Sequence, residues 1–236
     1  MEASPFSLPV MPAVQVSAAL EPVPNLLLTL WAMTATAPVA VDPWITQCAA
    51  QLGPDPREFN RLLFATFGAA LLPVEPFADF PGYLDALAGE PAASFYDRLR
   101  ASALTTTDPA LQARAEVLLA DPPALHQQIV DHLRALWTTF LAPEWQRHTH
   151  LLTKMTRSVN ELIFSQPQWQ AANAFAALRY LLQTEPSDAQ LAQLAGVSRI
   201  VLLWSPHLLA YCTRLNSSDT LWVVRKFDPQ LLRRDP

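Results

Sequence analysis

The chain is expected to fold as an α+β domain, a mainly helical body closed by a small antiparallel sheet, and three observations lead there. Ile200 to Trp204 is a five-residue apolar run, too short for a buried helix and stopped by Pro206. Such a run is a strand buried on both faces. Leu221 to Phe227 repeats its chemistry, and the Asn216-Ser217-Ser218-Asp219 cluster before it is a turn, so an antiparallel pair is the simplest product. The third observation is 22 prolines against 5 glycines, with Asp-Pro pairs recurring where helices begin.

In chain order, residues 1–13 form a flexible Pro-rich lead-in. Val14 to Ala18 alternates as a strand does and is available to join the C-terminal pair. Pro22 and Pro24 suit a helix start, with Asn25 as cap, and Leu26 to Met33 is apolar all round, which marks a buried helix. Asp42-Pro43 opens Trp44 to Leu52, closed by Gly53. Asp55-Pro56 repeats the device for Arg57 to Phe67, where Phe59, Leu62, Leu63 and Phe67 form a stripe.

Leu71 to Pro81 reads as a loop, with short helices after it near 82–88 and 92–103. Asp108-Pro109 and Asp121-Pro122 start helices over Ala110–Ala120 and Ala124–Leu141. Pro143 opens the longest helix, to Phe164, with Leu152, Met155, Val159 and Leu162 on one face. Trp169 to Leu182 is a second apolar helix. Leu208 to Arg214 is expected to make one or two helical turns. The sheet is then drawn from residues near 14–18, 199–204 and 220–227, within a single domain over 14–227 and a tail over 228–236.

Composition narrows the function. Hydrophobic residues make up 51% and charged residues 16%, which fits a globular domain that associates. A net charge of −5 gives no global attraction to nucleic acid. No two glycines stand close enough for a phosphate-cradling loop, which removes P-loop and dinucleotide-binding readings. Cys48 and Cys212 have no metal or redox spacing and read as two small buried hydrophobes in a cytoplasmic protein. The uncharged stretch from Pro22 to Val41 is cut by Pro24 and Pro38 to about a dozen helical residues, short of the ~20 that span a bilayer. No membrane association is expected.

Ser205 and His207 suggest a nucleophile and its base, but residues two apart in a corner do not present both side chains to one reacting atom. The expected corner has Ser205 capping backbone and His207 filling the edge of a pocket. His148 and His150 lie about 200° apart around a helix and cannot grip one metal ion. Glu144 and His148, four apart, can, but a pair is not a site. Neither catalytic, cofactor nor metal residues are expected.

Ser187 to Arg199 has the A-x-x-x-G-x-S look of a DNA-binding helix and turn, from Ala192 to Ser198. The next residues are Ile-Val-Leu-Leu-Trp instead of a polar recognition helix, so the segment is taken as a structural lead into the strand.

Three segments carry a family resemblance: Pro24-Asn25-Leu26-Leu27-Leu28-Thr29-Leu30-Trp31-Ala32, Phe140 to Arg147 with its Glu144-Trp145, and Ile200 to Tyr211 with its Ser205-Pro206-His207 corner. Together they resemble the N-terminal region of larger bacterial ArsR-type transcriptional regulators, in which this region precedes a DNA-binding winged helix-turn-helix and dimers are usual. The chain ends at Asp235-Pro236, where that winged helix is expected to begin, and the family's cysteine metal box has no counterpart.

The resemblance implies a sensory or dimerising region without its own winged helix. Its partners would be a second copy or a related regulator, with DNA reached only through a separate winged-helix module. A small apolar ligand is the candidate signal, and Trp31, Trp145, Trp169, Trp204, Ser205 and His207 are the candidate pocket. The alternatives are a stand-alone interaction module that pairs with full-length regulators, and an enzyme using His207 or Glu144 and His148 as acid–base groups.

Overall fold

A computed structural model of the chain describes residues 13–35, 41–166, 173–182, 196–208, 212–215 and 219–226, with single positions at 185, 187, 188 and 194. The lead-in before residue 13, Trp169, most of the 187–195 segment and the tail lie outside the described residues.

Four strands form one sheet in the order β1-β2-β4-β3: β1 is Gln15–Ala19, β2 Arg199–Ser205, β3 Cys212–Leu215 and β4 Thr220–Lys226. The expected antiparallel sheet is incorrect. The three strands foreseen in the sequence are all parallel, β1 to β2 with Val16 opposite Ile200, and β2 to β4 with Leu202 opposite Val223. The antiparallel partner of β4 is β3, with Thr213 opposite Val223. β3 occupies a stretch where helical turns were expected. Of the expected turn cluster, residues 216–218 lie outside the described residues, and β2 reaches β4 through the crossover that parallel pairing requires.

Burial explains the parallel arrangement. In β2, Val201 and Leu203 face one apolar cluster, while Ile200, Leu202 and Trp204 face the other. β4 splits likewise, Trp222 and Val224 against Leu221 and Val223. A strand covered on both faces has no polar side to alternate, which is the pattern of parallel sheets between helical layers.

The first cluster is built on the helices that come after β1. These are α1 (Pro22–Thr34), α2 (Pro43–Gln51), α3 (Pro54–Leu62), α4 (Phe80–Gly89), α5 (Ala92–Leu104), α6 (Pro109–Leu119) and α7 (Pro122–Leu136). The second lies under α8 (Ala142–Ser165) and α9 (Ala174–Leu182). Asp42, Asp108 and Asp121 cap α2, α6 and α7 by accepting hydrogen bonds from first-turn N–H groups. Asp55 does not: α3 starts earlier, with Gly53 at the cap and Pro54 first, so Asp55 sits in its first turn. On α8 the buried stripe runs Leu152, Met155 and Ile163, leaving Leu162 half exposed.

Between α7 and α8 the helix does not break but widens into one π turn, Trp137–Leu141. Pro143 accounts for the widening. It has no N–H for the ladder, and its ring would strike the carbonyl of Thr139 four residues back.

Two asparagines tie elements together. Asn60 is fully buried; its Nδ2 donates to the Leu30 carbonyl and to Thr34 Oγ1, both at 2.8 Å, while its Oδ1 accepts from His132 Nε2 at 3.0 Å. α1, α3 and α7 meet in that one side chain. Asn160 of α8 reaches β1: its Oδ1 accepts from the Ala18 N–H at 2.7 Å and its Nδ2 donates to the Ala18 carbonyl at 2.8 Å. Among the described residues, no helix is long and apolar enough to cross a membrane.

Candidate functional site

The site lies just past the carboxyl end of β2. Ser205 is fully buried, and its Oγ accepts from the N–H groups of His207 at 3.3 Å and Leu208 at 3.2 Å. That hydroxyl bends the chain through Pro206 and aims His207 inward. The Asp42 N–H donates to the His207 carbonyl at 2.8 Å, and Val41 bridges to Leu208, so the corner is fastened to the start of α2. Asp42 Oδ1 accepts from the Trp44 N–H at 2.9 Å. One aspartate thus caps a helix with its side chain and holds the corner with its backbone. The indole of Trp44 is laid on the imidazole of His207, centroids 4.4 Å apart and planes inclined by 22°.

The opposite wall comes from the first turns of α8. Glu144 and His148 stand one helical turn apart, as their spacing required. Glu144 is 8% exposed and His207 7%, while the His148 side chain keeps 27%. Glu144 Oε1 lies 3.4 Å from His148 Nδ1 and 3.9 Å from His207 Nε2. Glu144 Oε2 accepts from Arg147 Nη1 at 2.9 Å. His148 Nδ1 also lies 3.1 Å from the Glu144 carbonyl, and its ring meets His207 edge to face at 5.5 Å. One donor atom from each of Glu144, His148 and His207 falls within 4.8 Å of the others.

Electrostatics derive from burial. The His207 imidazole is pushed down to about 4, chiefly by loss of water and then by His148, with Asp42 opposing. It is therefore neutral near pH 7, and its approach to Glu144 is not an ion pair at that pH. The Cys48 thiol is pushed up to about 11 by burial and by the charge of Glu144.

A cavity of about 10 Å³ sits against these groups, lined by Asn25, Leu26, Thr29, Trp44, Leu141, Glu144, Trp145, Pro206 and His207. That volume is room for about one water. Asn25 Oδ1 and His207 Nδ1 are buried atoms without a hydrogen-bond partner, and both residues line it.

Of the candidate pocket residues, Trp145 and His207 line this cavity and Ser205 shapes it. Trp31 packs against the first apolar cluster away from it. Trp204 faces the second cluster, with the Arg225 guanidinium 5.8 Å from its ring centroid. Trp169 lies outside the described residues. Sequence reasoning missed Trp44, Asn25 and Thr29, and treated Glu144 and His148 apart from His207. The only local signal for Trp44 was its place two residues after a capping aspartate.

Comparison with known proteins finds no matching family model, no matching curated protein and no matching solved structure.

Proposed function

We propose that the chain is the sensory and dimerising region of a transcription regulator of ArsR type, receiving its signal at the Glu144–His148–His207 group and performing no turnover. The observation that carries this reading is convergence. The three segments that resemble those regulators supply every residue lining the cavity except Trp44. Segments remote in the chain that share a family likeness and meet at one buried polar spot argue for a common task there. The position agrees, since ligands of sheets with parallel strands collect beyond the strands' carboxyl ends.

Size argues against an enzyme. Pockets for small organic substrates run to roughly 300–1,000 Å³, and this cavity has about 10 Å³. Two larger hollows, one of about 500 Å³ at Tyr96, Arg100, Gln112 and Glu116 and one of about 410 Å³ at Thr153, Arg157, Asn160 and Glu161, have neither a cysteine nor a histidine among their lining residues. DNA contact, on this reading, belongs to a winged helix elsewhere in the regulator or in its partner.

The test is a reporter strain in which the chain is fused to a heterologous DNA-binding domain that represses only when paired. Repression driven by the chain and altered by Trp44→Ala or Glu144→Gln supports the reading. Repression no better than that of the DNA-binding domain alone overturns it.

A further inference from the structure

We propose that Glu144, His148 and His207 bind one divalent transition-metal ion of the zinc class, with a water molecule as its fourth ligand. This rests on the sensory reading only for its purpose; the site itself stands on geometry. Two imidazole nitrogens and one carboxylate oxygen are the donors of open zinc sites with three protein ligands. The same set disfavours magnesium and calcium, which take oxygen almost exclusively.

The distances are those of a site waiting for a small contraction. Ligand atoms around a four-coordinate ion with bonds of ~2.0–2.1 Å stand about 3.4 Å apart. Glu144 Oε1 and His148 Nδ1 are already 3.4 Å apart, and Oε1 to His207 Nε2 is 3.9 Å. No two of the three donors are more than 4.8 Å apart, so the contraction left is at most the step from 4.8 Å to about 3.4 Å.

Two of the three donors are also oriented. Arg147 engages Oε2 and leaves Oε1 for the ion, while the Trp44 stack fixes the plane of the His207 ring. His148 must give up its 3.1 Å approach to the Glu144 carbonyl and carry its proton on Nε2.

A second, independent observation points to a ligand at this spot. Asn25 is 2% exposed and His207 7%, and each presents a buried, unpartnered polar atom beside a cavity of about one water's size. An apolar core would not tolerate both atoms cheaply. A water there satisfies Asn25 Oδ1 and His207 Nδ1, completing the outer support that ligating histidines require.

The experiment uses the purified full chain, stripped with a chelator and dialysed. It is titrated with Co²⁺ by visible absorption and with Zn²⁺ by equilibrium dialysis. One ion per chain is expected, with the intense visible bands of a four-coordinate cobalt site that Zn²⁺ bleaches. His148→Ala and His207→Ala should each weaken binding by about a hundredfold or more, and Arg147→Ala by about tenfold. The exposed neighbour variant His150→Ala should leave it unchanged. Far-UV circular dichroism checks each fold; His148 is partly exposed, so its variant keeps the test decisive if His207→Ala unfolds.

No bound ion, or uptake equal in the parent and His148→Ala, overturns the site. The sensory reading would then survive if the reporter fusion still represses. Stoichiometric binding with an indifferent reporter leaves the site standing and removes the sensory reading.

Discussion

The indole of Trp44 lies flat on the imidazole of His207, centroids 4.4 Å apart, although the two come from opposite ends of the chain. Both are set by one residue, since Asp42 accepts from the Trp44 N–H and donates its own N–H to the His207 carbonyl. Stacked aromatic pairs contribute about 0.5–1.5 kcal/mol beyond their buried area. Trp44→Leu should therefore destabilise the protein by about 1–3 kcal/mol in urea denaturation. A double-mutant cycle with His207→Ala should return a coupling of about 1 kcal/mol. A coupling near zero would mean the stack is mere proximity.

Asn60 is expected to be the most sensitive polar position in the helical body. Asn60→Ala takes a hydrogen-bond partner from the half-buried His132 Nε2 and Thr34 hydroxyl and from the carbonyl of the fully buried Leu30. Each buried polar group left unpaired costs about 1–3 kcal/mol. The loss should reach about 3 kcal/mol by chemical denaturation, whereas Asn60→Asp should retain part of the His132 contact.

His132 gives the protein a pH dependence with a definite sign. Burial pushes its imidazole down to about 4 from the usual 6.5. The unfolded chain therefore binds this proton more readily. The contribution is fully present above about pH 6.5 and is lost as pH falls towards 4, a total of about 3 kcal/mol. Unfolding free energies measured between pH 4 and 7 should fall less steeply with acid in His132→Gln than in the parent.

Cys48 should be nearly inert in the native protein. It is 3% exposed, and the thiol is pushed up to about 11. Thiolate is the reactive form, so iodoacetamide at about pH 8 should label the Cys48 peptide slowly, with rapid labelling in denaturant. Fast native labelling, read by peptide mass spectrometry, would show that α2 opens readily.

Helix starts were legible because their chemistry is local. An aspartate with proline next to it fixes a cap and a first turn without help from the rest of the chain, as at Asp42, Asp108 and Asp121. Asp55 failed as a cap because Gly53-Pro54 offered an earlier start that propensity could not rank. Strand direction was not legible in the same way, since β1 and β2 pair across almost the whole chain. Even so, a run such as Ile200 to Trp204, apolar on both faces, carried the mark of a parallel sheet, and the turn cluster drew attention to the wrong pair.

The site divides along the same line. Glu144 and His148 announced themselves by spacing on one helix, and Ser205-Pro206-His207 by its corner. Nothing local told that these would meet. Their meeting depends on α8 and β2 packing together, and on the π turn that carries Pro143 without breaking the helix.

Asn160 has a consequence for the protein's life in solution. β1 is an outer strand of the sheet, and the main chain at the rim of a sheet readily templates a stranger's backbone. By occupying both hydrogen-bonding groups of Ala18, one amide side chain blocks the place where a foreign segment would begin to zip on. A helix thereby acts as a guard rail along this one margin of the sheet, at the point where an incoming strand would otherwise find a free donor and acceptor side by side.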